Sequence, residues 1–201
     1  GKVDHTLKLD KKTTLQSGWK SSSTNTDNIA SYQNFDGSQW IEDYSKSNHF
    51  IYKENITAFY SSIEKKDDRL SFQAGLRYEN TGYKADQLGN AQQKDSSFSR
   101  HYGGFFPSGY ISYQADSSNS FTFTTGRRID RPPFQTLNPF YFIVNKYTYS
   151  TGNPFLLPQY SWNLELNHQY KNLLSTSISY SIVKNYFSQL FLNDSAKGVL
   201  L

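Results

Sequence analysis

The sequence predicts an all-β protein, an antiparallel up-and-down meander of about eight strands. Three observations support this fold class. Side chains alternate repeatedly between apolar and polar, aromatic residues are abundant on a polar background, and short connections alternate with long ones. Of the 201 residues 17% are aromatic, including 16 Tyr and 15 Phe, and such residues favour strands over helices.

Weak alternation identifies the first three strands, because successive side chains of a strand point to opposite faces. The first strand is predicted over 3–9 and the second around 15–19. The third is predicted over 50–62, where Phe59 breaks the alternation. The apolar set of this third strand is Ile56, Ala58 and Tyr60.

The remaining five strands include the clearest alternation in the chain. RLSFQAGLRYE at 69–79, SWNLELNHQY at 161–170 and LSTSISYSI at 174–182 each separate an apolar set from a polar set. Shorter runs at 111–115 and 121–123 predict the fifth and sixth strands. A helix would scatter these sets around its circumference, so no helix is predicted.

The lengths of the connections indicate where this sheet lies. Short links are predicted near 10–13, 64–68, 116–120 and 171–172, and long ones near 22–48, 82–99 and 131–160. All the long loops then fall at one end, which is the layout of an outer-membrane barrel with a lipid-facing apolar face and a polar lumen. Aromatic residues near the strand ends suit the membrane interfaces: Trp19, Tyr60, Tyr78, Tyr102, Trp162 and Tyr170. The alternative is a soluble β-sandwich carbohydrate-binding module, in which the same alternation separates core from solvent.

Several classes of function lack the residues they need. The chain has no Cys, and its four His fall in separate elements without metal-ligand spacing. No nucleophile elbow, phosphate-binding loop or dinucleotide fingerprint occurs. The net charge of +4 is scattered rather than clustered, whereas a nucleic-acid site needs a basic face. We therefore predict no enzyme, no metal site, no cofactor and no nucleic-acid partner.

Ordered motifs carry a resemblance to a known family. RRIDRPPFQTLNPF followed by GNPFLLPQYSWNLEL, preceded by GLRYEN and FFPSGYISY, resembles the outer-membrane β-barrel family of TonB-dependent receptor-like proteins. The resemblance implies a barrel of about 22 strands with a plugged lumen. Residues 1–201 would be a single excised segment of this barrel, without the plug domain and the remaining strands.

The same resemblance implies a function and partners. The whole protein would be a receptor or transporter in the outer membrane of a Gram-negative bacterium, which takes up a nutrient or binds an unknown small ligand at the cell surface. Its partners would be outer-membrane lipid and, through parts absent from this chain, a TonB-type energising system.

One stiff stretch is predicted to be a braced loop. Five of the six prolines fall between Pro132 and Pro158. Arg131, Pro132 and Pro133 should be extended, and the Asn-Pro pairs at 138–139 and 153–154 should start turns. Phe134, Phe140 and Phe155 would anchor this loop on the barrel rim. The arginines would bind loop carbonyl groups or carboxylates; alternatively, the loop contacts a ligand directly. The candidate ligand-binding residues are Arg127, Arg128, Arg131, Tyr147 and Tyr149.

Overall fold

The computed structural model describes residues 1–140, 142–145, 147–194 and 199–200. Within these ranges the protein is almost entirely β-structure. The elements in chain order are β1 Lys2–Lys8, β2 Thr13–Ala30, β3 Gln33–Phe35, β4 Trp40–Glu42, β5 Asn48–Lys66, β6 Leu70–Leu88, β7 Ser96–Gln114, β8 Asn119–Asp130, α1 Phe134–Leu137, β9 Phe142–Asn145, β10 Thr148–Ser150, β11 Gln159–Tyr170, β12 Leu174–Lys184, β13 Asn193–Asp194 and β14 Val199–Leu200.

The eight long strands form one antiparallel sheet in the order β1-β2-β5-β6-β7-β8-β11-β12. Each strand pairs with its nearest neighbour along the chain, which confirms the predicted up-and-down meander. In the described residues β1 and β12 do not pair with each other, so the sheet is open. The short strands form a β3-β4 hairpin and a small sheet in the order β13-β14-β10-β9.

The connections are arranged as the sequence predicts. Short turns at 9–12, 67–69, 115–118 and 171–173 share one end of the sheet, which we call the turn end. The long connections at 31–47, 89–95 and 131–158 share the other, the loop end. At the turn end Lys12 forms an ion pair with Asp67 that joins two neighbouring turns.

The long strands extend further toward the loop end than the sequence suggests. Residues 22–30, 82–88 and 96–99 are strand, although their polar composition predicts loops. Main-chain hydrogen bonds between neighbouring strands need no apolar side chain, so pairing continues through these polar segments.

The prediction that the chain contains no helix is wrong for one turn in the proline-rich loop. Pro133 is extended, with φ −63° and ψ 154°, and caps the four-residue helix α1. Proline fits just ahead of a helix because its missing N–H is not needed there. Within the described residues no helix is long and apolar enough to cross a membrane.

One face of the sheet, which we call the belt face, carries a continuous set of exposed apolar side chains. Register places Trp19 opposite Phe59, Phe59 opposite Tyr78, and Tyr78 opposite Phe105. Toward the turn end the same face continues with Leu15, Ile63, Leu70, Leu76, Ile111, Phe121, Phe123, Leu164, Leu166, Leu174 and Ile178. This arrangement confirms the predicted apolar faces of 69–79, 161–170 and 174–182.

Two predicted faces are wrong. Phe59, which breaks the alternation of its strand, is 56% exposed on the belt face. The set Ile56, Ala58 and Tyr60 lies on the opposite face, because Tyr60 pairs with Arg77 and Ala58 with Glu79. Tyr102 also lies there, opposite Thr81. Alternation along one strand defines two sets of side chains, but only register with the neighbours shows which sets share a face.

Candidate functional site

The proline-rich loop, residues 131–158, folds back onto the face opposite the belt, which we call the covered face. Leu137 is 1% exposed and belongs to the same cluster as Phe50, Tyr52, Tyr83 and Ala85. These four come from the loop-end halves of β5 and β6. This cluster is the hydrophobic core of the described structure, and the loop supplies its lid.

The anchoring side chains differ in part from those predicted. Phe134 packs against the core cluster, as expected, and Leu156 joins it from the other arm of the loop. Phe155 is 75% exposed and does not anchor the loop. Sequence analysis does not identify Leu137, because a single leucine among turn-forming residues belongs to no alternating apolar pattern. Its burial depends on contact with β5 and β6.

Backbone hydrogen bonds fasten the two arms of the loop together. The amide of Gly152 donates to Asn138 O at 2.8 Å, and the amide of Asn153 donates to Thr136 O at 2.7 Å. A Cβ atom on Gly152 would lie 2.5 Å from both of these carbonyl oxygens. Gly152 is therefore required for the close approach of the two arms.

The repeated tripeptide Asn-Pro-Phe forms the same turn in each arm. The amide of Phe140 donates to Asn138 Oδ1 at 3.1 Å, and the amide of Phe155 donates to Asn153 Oδ1 at 2.9 Å. An asparagine side chain that binds the backbone two residues on forms an Asx-turn. This geometry confirms the prediction that both Asn-Pro pairs start turns.

A buried ion pair fixes the start of the loop to the sheet. Arg131 forms an ion pair with Glu79, whose side chain is 6% exposed, and its Nη2 donates to Thr81 Oγ1 at 3.1 Å. Arg77 Nη2 lies 3.4 Å from the other oxygen of Glu79. Burial lowers the pKa of Arg131 from its ordinary value, yet a guanidinium remains charged in proteins. Sequence analysis does not identify Glu79 and Thr81, because they lie among polar residues of a strand. Their burial depends on the loop that packs over this strand in the folded structure.

Arg127 has a different place and different partners. Its Nη1 donates to Phe105 O at 2.9 Å, and its guanidinium lies 4.8 Å from the ring centroid of Tyr160. In register it is opposite Trp162, which is on the belt face. Arg131 thus binds a carboxylate, as the braced-loop hypothesis expects, whereas the carbonyl group that Arg127 binds belongs to strand β7 and not to the loop.

The other three candidate residues lie at other places in the structure. Arg128 is exposed and, opposite Ser161, lies on the covered face. Tyr147 is 61% exposed and its amide donates to Asn145 Oδ1 at 2.8 Å. Tyr149 lies in β10, opposite Ile143. The three arginines therefore point to separate environments, and a ligand-contacting role for any of the five residues stays a prediction.

A cleft of about 440 Å³ separates the loop from β7 near the covered face. Its lining includes Arg100, Tyr102, Pro158 and Tyr160. Arg100 Nη2 donates to Phe155 O at 3.2 Å and so ties the second arm of the loop to β7. Among the described residues no group of three His, Cys, Asp or Glu could hold a metal ion.

Comparisons with known proteins agree with this architecture. The model of a family described as "Outer membrane protein beta-barrel family" matches residues 1–201. A comparison with curated proteins gives no match. One similar solved structure is a double mutant of the Serratia marcescens hemophore receptor HasR, in complex with its hemophore HasA and heme. The TM-score is 0.52 at 14% identity, and the match covers 89% of this chain but 35% of that one. The likeness concerns the fold.

Proposed function

The chain belongs to the outer membrane protein beta-barrel family, and on this premise we propose that it is one sector of a larger receptor barrel. The barrel lies in the outer membrane of a Gram-negative bacterium. In this proposal the belt face contacts lipid, the covered face lines the lumen, and the loop end faces outward. Residues 1–201 act as a single barrel segment.

The distribution of apolar side chains carries the proposal. On the belt face Leu76 is 50% exposed, Ile111 52% and Ile178 70%, and in the described structure no element packs over them. A soluble sandwich would place a second sheet there. In an outer-membrane barrel, hydrocarbon covers such a band and aromatic residues border it. The family and this band together favour the barrel over the carbohydrate-binding module.

The free edges of the sheet support a larger barrel. β1 and β12 each have one neighbour in the described structure. Unpaired backbone groups are costly in hydrocarbon, so strands cross a membrane only as closed barrels. Additional strands beside β1 and β12 would satisfy these groups.

We extend the proposal to reception and uptake of a ligand from outside the cell. Arg128, Tyr147 and Tyr149 are our candidates for ligand contact. Uptake of a nutrient would draw energy from a TonB-type system. The similar HasR structure, whose described partners are a hemophore and heme, is a precedent for a receptor on this fold. No catalytic step is proposed.

Single cysteines test the proposed orientation, because residues 1–201 contain no Cys that would react in the background; the protein without an added cysteine is the control. We would place one cysteine at a time at Ala74 on the belt face, at Lys84 near the loop end, and at Asp68 in a turn. On intact cells a membrane-impermeant maleimide should label Lys84→Cys only. Asp68→Cys should react after permeabilisation, and Ala74→Cys only with a lipid-soluble reagent. Labelling of Asp68→Cys in intact cells would show that the orientation is the reverse of the one proposed. Rapid labelling of Ala74→Cys by the aqueous reagent would contradict the proposed lipid contact.

Uptake requires a separate measurement. Cells with and without the full-length protein would be grown in the same medium, and solutes remaining in the medium would be profiled. One solute class should be depleted only when the protein is present, and an uncoupler of the proton gradient should abolish the difference. Identical depletion profiles would contradict the uptake function, but they would not contradict the proposal that the chain is part of a barrel.

A further inference from the structure

At the loop end of the sheet, β7 and β8 separate and leave a gap, which we call the split. These strands pair only from Ser108 opposite Gly126 to Gln114 opposite Ser120. β7 nevertheless begins at Ser96, and β8 continues to Asp130 alongside β11. Phe105 therefore lies on a stretch of β7 that β8 does not pair with, and the side chain of Arg127 reaches across to its carbonyl group.

A cleft of about 390 Å³ follows this split on the belt face. Phe105, Trp162 and Ile182 give it an apolar lining, and Arg127 and Lys184 add two cations. Trp162 pairs with both Arg127 and Ile182. Lys184 pairs with Tyr160 one step nearer the loop end. The cations therefore lie among the aromatic residues that mark the membrane interface.

Among the described residues no carboxylate forms an ion pair with either of these two cations. The ion pairs formed by the described residues involve neither Arg127 nor Lys184. Arg127 gives one hydrogen bond to Phe105 O and stacks on Tyr160 and Phe106, whereas a guanidinium carries five N–H donors. A cation at the membrane interface costs little in itself, but two cations without a carboxylate partner there attract an anionic group.

We propose that this cleft binds a phosphorylated lipid of the outer leaflet. Arg127 and Lys184 hold the phosphate group, and Phe105, Trp162 and Ile182 contact the apolar part of the lipid beside it. Phosphate is favoured because a planar guanidinium fork matches its oxygens and gives strong charge-assisted hydrogen bonds. Continuity with the apolar belt favours a lipid over a free anion. The inference rests on the proposed orientation, in which the loop end meets the outer leaflet.

Lipid binding can be measured on the full-length protein in detergent micelles. Phosphorylated lipid A would be titrated against wild-type protein and the variants Arg127→Gln and Lys184→Gln, with lipid that copurifies quantified by mass spectrometry. Loss of a charged hydrogen-bonding partner should weaken binding about tenfold. Lys65→Gln is the matched control, because it removes an exposed cation from the same face at the turn end, far from the cleft. Its affinity should equal that of wild type.

Several outcomes would overturn the inference. They are unchanged binding in both Arg127→Gln and Lys184→Gln, an equal loss in Lys65→Gln, or equal affinity for dephosphorylated lipid A. Full competition by inorganic phosphate would show that the site takes the free anion instead. Arg127 also bridges the split, so Lys184→Gln, on an exposed side chain, keeps the test valid if Arg127→Gln misfolds. The cysteine labels report a wrong orientation independently of these titrations.

Discussion

The turn half and the loop half of β6 have opposite polarity on the same two faces. In the turn half, Leu70 and Leu76 are exposed on the belt face, and Gln73 lies on the covered face. In the loop half, Lys84 is exposed on the belt face, while Ala85 is completely buried on the covered face. The register does not slip between the two halves.

The environment of each half explains this inversion. In the proposed barrel, hydrocarbon covers the belt face next to the turn half, and the covered face there is polar. In the same proposal water meets the belt face next to the loop half, where Leu137, Phe134 and Leu156 of the proline-rich loop cover the other face. A strand that crosses from membrane to exterior changes solvent midway, and apolar side chains follow the apolar environment. On the belt face the change falls between Tyr78 and Asn80, and on the covered face between Thr81 and Tyr83.

The largest expected effect is at the buried ion pair between Glu79 and Arg131, which fixes the start of the proline-rich loop to the sheet. Glu79→Ala leaves Arg131 buried without its carboxylate and should destabilise the loop by about 3–5 kcal/mol. Limited proteolysis of the full-length protein should then cut within 131–158 much faster. Arg77→Gln is the control: it removes the other cation near Glu79, but one that is 43% exposed, and should change cleavage little. Equal cleavage in both variants would show that Glu79 and Arg131 do not hold the loop.

A charge on the turn half tests the lipid contact. Ala74 is the middle residue of the apolar set from Leu70 to Tyr78, and Ala74→Arg should cost about 2–4 kcal/mol at the membrane midplane. Its neighbour Gln73→Arg points into the polar lumen and should be tolerated. The readout is the fraction of heat-modifiable, folded barrel on a gel. Similar losses in both variants would contradict the assignment of faces in this half.

A smaller effect is expected where the two arms of the loop meet. Gly152→Ala places a methyl group 2.5 Å from two carbonyl oxygens, and the overpacking should cost about 1–3 kcal/mol. Gly126→Ala is the matched control, since its Cβ would have ordinary contacts at 3.6 Å or more. Hydrogen exchange at Gly152 and Asn153 reports the change. Unaltered protection in Gly152→Ala would mean that the arms are not fastened there.

The smallest effect is a pH dependence of the exposed connection 31–47. Hydrogen bonds from Lys46, Ser45 and Asn34 lower the pKa of Asp43 below its usual 3.8. A depressed folded-state pKa adds stability that is present above the unfolded value and lost as pH falls through the folded one. Proteolysis of this connection by an acid-active protease should therefore accelerate only below about pH 4. Asp43→Asn should remove that pH dependence; if it persists, other carboxylates are responsible.

How far the sequence predicts this protein differs between the two halves. In the turn half, alternation in 69–79 and 174–182 with short turns between strands predicts the strands, their order and their lipid face. In the loop half the same reasoning treats 22–30 and 82–88 as loops. Many side chains there are polar, so the apolar alternation that identifies a paired strand is missing. The braced loop itself is predictable from its prolines and Asn-Pro turns, which act locally.

What the sequence by itself determines here is local: period-two alternation, turn chemistry and the rigidity of 131–139. Tertiary structure alone decides where the loop lies, and hence the burial of Leu137, the pairing of Glu79 with Arg131 and the separation of Arg127 from Arg131. These contacts join residues far apart in the chain. Their free energy depends on which surfaces meet, and the alternation within any single strand carries no information about that.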